Sequence, residues 1–98
     1  MAILSFGDKR TETVFRGVVV PELPPEICRK ARIRLDAIDA APEVAALRFP
    51  PGNRLEKLKG SLREWYSIRV NDQWRIMFKW EGNGAAAVQV VDYHDWKK

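Results

Sequence analysis

The 98-residue sequence predicts an α+β fold in which two N-terminal helices pack on one face of a small, antiparallel-rich sheet of four or five strands. Two observations predict this class. The first half contains helical periodicity bounded by proline and glycine, and the second half contains segments that alternate between apolar and polar residues. The length and the hydrophobic content of 46% suit one domain with a packed core, over residues 1–98.

The N-terminal half is predicted to contain a short strand and two helices. Residues 2–6 are apolar enough for a strand, and Asp8 can cap a first helix that Gly17 can end. A second helix is expected to open near Pro24 and to repeat apolar residues at helical spacing until Pro42 stops it. The apolar face of that helix is expected to pack against a sheet.

The sheet is predicted from a hairpin whose strands span residues 65–70 and 74–80, with turn chemistry at residues 71–73 between them. A three-residue loop sets Ile68 opposite Ile76 and gives one apolar face, whereas a two-residue loop would mix the two faces. Two further strands are expected, at residues 54–58 and at about residues 86–91.

The predicted register also places two arginines opposite each other. Arg69 faces Arg75 on the side of the sheet away from the helices, with Lys79 further along. Like charges in directly opposed positions repel, so either an anion or a carboxylate of the protein is expected between them. The carboxylates in question are those of Asp72, Glu64 and Asp92.

The positive charge of the chain is concentrated in one third of it. The net charge is +4, and residues 48–80 alone hold eight Lys and Arg against three Asp and Glu, which gives +5. Such a segment suits a polyanion, although a solvated cationic face is the alternative. The single cysteine, Cys28, forms neither an internal disulfide nor a structural zinc site. With apolar runs too short for a membrane and no secretory signal, a cytoplasmic protein is expected.

Four segments together are similar to a known family: Pro50-Pro-Gly-Asn-Arg-Leu-Glu56, Leu58-Lys-Gly60, Ser67-Ile-Arg-Val-Asn-Asp-Gln-Trp-Arg-Ile76 and Val90-Val-Asp-Tyr-His94. They resemble those of the HigB toxins of plasmid-maintenance toxin–antitoxin systems, within the RelE/ParE superfamily. The likeness spans nearly the whole chain, and the third segment joined to a terminal Asp-Tyr-His is quite specific. The Trp65-Tyr66 pair and the last four residues depart from the family pattern.

The resemblance implies a RelE-like microbial RNase fold and a ribosome-dependent endoribonuclease. Such a toxin cuts messenger RNA in the ribosomal aminoacyl site by attack of a ribose 2′-hydroxyl on the neighbouring phosphate, without a metal or another cofactor, and so halts translation and growth. The implied partners are the ribosome, messenger RNA and a HigA-type helix-turn-helix antitoxin that binds operator DNA in the complex. No membrane partner is implied.

The catalytic residues implied by the resemblance are Lys59, Arg75, Asp92, Tyr93 and His94. Lys59 and Arg75 suit stabilisation of phosphorane charge, and Tyr93 could orient or stack a nucleotide. His94 and Asp92 are candidates for the acid and the base. Glu56 stands where some members carry histidine, so the base is left open among Glu56, Asp92 and His94. A salt bridge from Glu56 to Lys57 or Lys59 is the structural alternative.

Contacts with RNA or the ribosome are expected at Arg54, Lys57, Arg63, Trp65, Arg69 and Lys79. The alternative for the cations is a solvated surface, and for Trp65 it is packing under a loop. Two rival functions share this fold: a ParE-like toxin that inhibits DNA gyrase, and a catalytically inactive binding module. Lys59 and the terminal Asp-Tyr-His favour the nuclease, because a gyrase inhibitor needs no acid–base groups there.

Overall fold

A computed structural model describes residues 2–96, with only the backbone of Trp96. In chain order its elements are α1 (Lys9–Phe15), α2 (Pro25–Ala40), β1 (Glu56–Lys57), β2 (Trp65–Arg69), β3 (Trp74–Glu81), β4 (Gly84–Asp92) and α3 (Tyr93–Trp96), with short 3-10 segments at Val44–Arg48, Pro51–Asn53 and Gly60–Leu62. The α+β class is therefore confirmed. Among the described helices, none combines the length and apolar character needed to cross a membrane.

Both predicted N-terminal helices are present, close to their expected ends. The Asp8 carboxylate accepts a hydrogen bond from the backbone N–H of Thr11 and caps α1. Gly17 follows α1 with a φ of +89°, a left-handed conformation that costs glycine little. Helix α2 begins at Pro25 and ends before Pro42. Proline suits the first position of a helix, because the N–H that it lacks would have no hydrogen-bond partner within the helix.

The segment predicted as a first strand, residues 2–6, forms two isolated bridges instead of a regular strand. Ile3 and Phe6 pair in parallel with Ala85 and Val88 of β4. The segment approaches β4 so closely that a Cβ on Gly84 would lie 2.6 Å from the carbonyl oxygen of Ala2. Glycine at this position therefore allows the N-terminal segment to lie against the sheet.

The four strands form an antiparallel sheet in the order β1-β2-β3-β4. Ile68 is paired with Ile76, and the backbone N–H of Val70 bonds to the carbonyl of Trp74, so the three-residue loop is confirmed. The strand predicted at residues 54–58 is shortened to β1, since Arg54 takes a left-handed conformation with a φ of 46°. Strand β4 is longer than expected.

The core unites the two predicted helices with one face of the hairpin. Its fully or nearly fully buried members include Val14, Ile27, Ala31, Leu35, Ile38, Ile68, Ile76, Phe78, Val88 and Val90. Residues of the opposite face are also withdrawn from solvent: Ser67 and Met77 are fully buried, and Arg75 retains only 8% of its exposure. A charged side chain thus lies almost buried on the second face of the sheet, where it needs partners.

Candidate active site

Three of the predicted catalytic residues meet in one cluster, formed by Glu56 of β1, Arg75 of β3 and Tyr93 at the start of α3. The Tyr93 hydroxyl donates a hydrogen bond to Glu56 Oε1 at 2.5 Å. The guanidinium carbon of Arg75 lies 5.0 Å from the centre of the Tyr93 ring, within the range of a cation–π contact. The Glu56–Arg75–Tyr93 cluster therefore combines a carboxylate, a phenol and a guanidinium.

The guanidinium of Arg75 is bonded mainly to uncharged acceptors. Its Nε donates to Ser67 Oγ at 2.8 Å, and its Nη2 donates to the carbonyl oxygen of Arg54 at 2.6 Å. Burial lowers the pKa of Arg75 from its ordinary value, and the nearby Glu56 carboxylate opposes that shift. Because the surroundings are poor in water, an anion that reaches this cation is attracted more strongly than at an open surface.

Tyr93 is held in its neutral form. Burial raises the pKa of its phenol, and the hydrogen bond to Glu56 raises it further, against the opposing effect of Arg75. A phenol whose pKa lies above its ordinary value of 10.0 keeps its proton at physiological pH. Tyr93 is consequently a hydrogen-bond donor in this site, and Glu56 is an acceptor.

Asp92 and His94 form a second group at the end of β4. Gln73 donates to Asp92 Oδ2 at 2.9 Å, and the His94 imidazole Nδ1 lies 3.5 Å from Asp92 Oδ1. The hydrogen bond from Gln73 is the main cause that lowers the pKa of Asp92, with smaller contributions from His94. His94 is largely exposed, so its imidazole is open to an incoming ligand. Among residues 2–96, no group of three or more His, Cys, Asp and Glu side chains is placed to hold a metal ion.

Lys59 lies outside both groups of contacts. It is exposed and directly precedes the 3-10 segment at Gly60–Leu62, and it forms no ion pair within the described part of the chain. Glu56 likewise forms no ion pair with Lys57 or Lys59 among the described residues, and its described contact is the one with Tyr93. The salt-bridge alternative for Glu56 is therefore not what the structure shows.

The predicted opposition of Arg69 and Arg75 is confirmed by the strand register. One of the expected carboxylates, that of Asp72, is present, but it pairs only with Arg69. Arg69 forms an ion pair with Asp72, whose side chain is 98% exposed, whereas the carboxylate that acts electrostatically on Arg75 is that of Glu56. The two arginines are thus compensated separately, and no anion between them is needed to explain their position.

Of the other residues expected to contact RNA, Trp65 and Lys79 lie on the same face of the sheet as Arg75, whereas Lys57 lies on the opposite face, beside Tyr66. The Lys79 ammonium is 5.1 Å from the centre of the Trp65 ring, its cross-strand partner, and Lys57 is 5.8 Å from the ring of Tyr66. The half-buried Trp65 thus carries a cation on its ring. The side chains of Arg54 and Arg63 are exposed.

Two groups in the site have roles that the sequence analysis did not assign to them. Ser67 was only part of a motif, and Arg54 was expected to act through its side chain, yet the Ser67 hydroxyl and the Arg54 carbonyl both bind Arg75. Strand alternation could have indicated Ser67, since it shares a face with Arg69 and Arg75 across the hairpin. A left-handed conformation at an arginine has no comparable sequence signal.

The sequence is similar to those of known toxins over almost its whole length. The family of HigB-like toxins, described as the RelE-like toxin of type II toxin–antitoxin system HigB, matches residues 4–94. The chain belongs to this family. It is 40% identical over 94 residues to Toxin HigB-1 of Vibrio cholerae, which covers 95% of this chain and 98% of the relative. It is 33% identical over 92 residues to Endoribonuclease HigB of Proteus vulgaris, which covers 94% and 99%.

Membership of the HigB-like toxins confirms the family identified from the four sequence segments. It also accounts for the α+β, RelE-like fold of helices and an antiparallel sheet. A toxin of a type II toxin–antitoxin system has an antitoxin as its partner. The Glu56–Arg75–Tyr93 cluster and the Asp92–His94 pair both lie within the matched residues.

Proposed function

We propose that this chain is a ribosome-dependent endoribonuclease that cleaves messenger RNA in the aminoacyl site. The observation that carries the proposal is the Glu56–Arg75–Tyr93 cluster, in which a proton acceptor, a neutral donor and an almost buried cation are in contact. Cleavage of RNA by its own 2′-hydroxyl needs a proton acceptor and a cation of these types, together with a proton donor to the departing oxygen, for which His94 is proposed. The similarity to Endoribonuclease HigB of Proteus vulgaris supports the same activity.

In the proposed reaction, the 2′-oxygen forms a bond to the adjacent phosphorus, and the bond from phosphorus to the 5′-oxygen breaks. Glu56 accepts the 2′-hydroxyl proton, because its carboxylate is exposed and adjoins Arg75. Arg75 stabilises the phosphorane charge, and Tyr93 orients the nucleotide. His94, oriented by Asp92, donates a proton to the departing 5′-oxygen. The products are a 2′,3′-cyclic phosphate and a 5′-hydroxyl, and the step requires no metal ion.

The cations around the cluster are proposed to hold the ribosome and its messenger. Lys59 supplies a further positive charge close to the cleaved phosphate, and the surrounding contacts come from Arg54, Lys57, Arg63, Trp65, Arg69 and Lys79. The proposed antitoxin is a HigA-type helix-turn-helix protein, through which the complex reaches operator DNA. The proposed site of action is the cytoplasm, where ribosomes translate.

The function is tested with purified protein and ribosomes that carry a defined messenger. The expected result is cleavage in the aminoacyl site, with no cleavage of the same RNA alone. The new ends should be a cyclic phosphate and a 5′-hydroxyl, and a 2′-deoxy substitution at the cleaved nucleotide should abolish the reaction. Cleavage of free RNA would contradict ribosome dependence. Inhibition of gyrase supercoiling without RNA cleavage would favour the ParE-like alternative.

The assignment of acid and base is tested with a messenger in which sulfur replaces the departing 5′-oxygen. Sulfur leaves without protonation, so this substrate should restore cleavage by His94→Ala but not by Glu56→Gln. Glu22→Gln, at an exposed position between the two N-terminal helices, is the matched control and should cleave normally. Restoration of Glu56→Gln instead of His94→Ala would reverse the two roles.

A further inference from the structure

We propose that Ser67 is a positioning residue for Arg75. Its hydroxyl and the carbonyl oxygen of Arg54 fix the plane of the guanidinium, so that Arg75 meets the RNA phosphate through its Nη1 end alone. The identity of the anion rests on the proposed function, whereas the orientation of the guanidinium rests on contacts within the protein.

The donors of Arg75 divide into an occupied group and an available one. Arginine has five N–H donors. Nε donates to Ser67 Oγ at 2.8 Å, and Nη2 donates to the Arg54 carbonyl at 2.6 Å and to the Ser67 carbonyl at 3.4 Å. Within residues 2–96, no hydrogen bond is made by Nη1. Its two N–H groups are consequently the part of the side chain left for a ligand.

Ser67 is a rigid anchor for this orientation. It is fully buried in β2 and is paired on one side with Glu56 and on the other with Met77. Rotation of the guanidinium would leave the buried Ser67 hydroxyl without its donor, which is unfavourable because water cannot replace that donor. The serine thus resists any pose in which Arg75 turns its Nε edge toward a phosphate.

The second anchor, the Arg54 carbonyl, is fixed by the backbone of its loop. Arg54 has a φ of 46°, and its N–H bonds to the Pro51 carbonyl at 3.0 Å. The neighbouring Asn53 is almost fully buried, and its side-chain amide donates to the carbonyls of Leu47 and Phe49 at 3.2 and 3.1 Å. The backbone of this loop therefore directs the carbonyl oxygen of Arg54 toward Arg75, and this does not depend on what the Arg54 side chain contacts.

This orientation determines where a phosphate can lie. The guanidinium carbon lies 5.0 Å from the centre of the Tyr93 ring, and the Tyr93 hydroxyl donates a hydrogen bond to the Glu56 carboxylate. A phosphate bound end-on by Nη1 would therefore be oriented by a guanidinium that Ser67 and the Arg54 carbonyl hold in place, close to the proposed base Glu56. Small errors in such a geometry slow reactions strongly, by about a hundredfold for a displacement of 1 Å.

A double-mutant cycle of Ser67→Ala and Arg75→Ala tests the proposal with ribosomes that carry a defined messenger. Ser67→Ala should lower kcat about 10- to 100-fold. The half-saturating ribosome concentration should change by less than about twofold. In the Arg75→Ala background, Ser67→Ala should cause no further loss, because its target is gone. Equal losses in both backgrounds, or an unchanged kcat for Ser67→Ala, would overturn the proposal.

Thr11→Ala is the matched control for loss of a buried hydroxyl. Thr11 is as fully buried as Ser67, and its Oγ1 accepts a hydrogen bond from the Val90 N–H at 2.9 Å, in the contact of α1 with β4. This variant should lose a similar amount of stability and keep normal cleavage below its unfolding temperature. A comparable fall in kcat for Thr11→Ala would mean that destabilisation alone explains the Ser67→Ala result.

A measurement without RNA separates this proposal from the proposed function. In nitrogen-15 NMR spectra, the Nε–H of Arg75 should exchange slowly with solvent in the unaltered protein and much faster in Ser67→Ala. Equal exchange in both proteins would refute the positioning role, even if the protein cleaves RNA. Absence of cleavage by the unaltered protein, with the exchange difference present, would refute the proposed function alone.

Discussion

Replacing Arg75 by alanine is expected to lower stability moderately. The change removes the donor to the buried Ser67 Oγ and the donor to the carbonyl of the exposed residue Arg54. An unpaired buried acceptor costs about 1–3 kcal/mol, so the loss at Ser67 dominates. It also removes a charge whose burial is unfavourable, as the lowered pKa of Arg75 shows. The net loss is about 1–3 kcal/mol, which corresponds to a fall in Tm of roughly 5–20 °C for a domain of this size, measurable by circular dichroism.

The effect of Arg75→Ala on cleavage should be far larger than its effect on ribosome binding. Loss of one preorganised donor to a developing negative charge typically costs 10²- to 10³-fold in kcat, or about 2.7–4 kcal/mol. The assay measures kcat and the half-saturating ribosome concentration below the Tm of the variant. Arg29→Ala, which removes an exposed cation from α2, is the control. An unchanged kcat with weaker ribosome binding would show that Arg75 only docks RNA.

Three further predictions concern the surrounding residues. His94→Ala and Asp92→Ala should each abolish growth arrest in cells while leaving the circular dichroism spectrum unchanged, and full toxicity of both would contradict their assignment. Arg69→Ala should change the free energy of unfolding by less than about 1 kcal/mol, because two effects oppose each other. The variant loses the exposed ion pair with Asp72, but it also loses the repulsion between Arg69 and Arg75 across the hairpin. A clear destabilisation in thermal denaturation would show that the ion pair outweighs the repulsion. Replacing Gln73 by leucine should raise the pKa of Asp92 toward its ordinary value of 3.8 in an NMR titration. Because the pKa of Asp92 is lowered in the folded protein, the hydrogen bond from Gln73 stabilises the fold above pH 3.8, and this stabilisation is lost as the pH falls through the native pKa. An unchanged Asp92 titration in the leucine variant would refute this cause.

The hairpin could be predicted closely because its apolar pattern separates the two loop lengths considered. Apolar residues at every second position of both strands share a face with a three-residue loop but not with a two-residue loop, and Ile68 is indeed paired with Ile76. The helix boundaries were predictable for a similar reason, since Asp8, Gly17 and Pro25 each occupy the end position that suits their backbone chemistry.

The separation of the site into two groups was harder to predict. Asp92, Tyr93 and His94 are adjacent in sequence, which predicts one site, but the backbone changes from strand β4 to helix α3 between Asp92 and Tyr93. The Asp92 carboxylate therefore accepts a hydrogen bond from Gln73, whereas the Tyr93 hydroxyl donates one to Glu56. The support of Arg75 depends on a backbone carbonyl in a left-handed turn, a feature of tertiary structure that residue patterns do not encode.

The shortness of β1 has a consequence for how a long polymer can be cut. This strand is the outer edge of the sheet, contains only Glu56 and Lys57, and has both side chains exposed. A two-residue charged edge is a poor template for pairing with another chain, so it can remain uncovered. The Glu56 carboxylate therefore lies at an exposed edge of the sheet. An RNA chain can approach this edge with any part of its length, and not only with an end. Such an edge suits breaks in the interior of a polynucleotide and requires no free end.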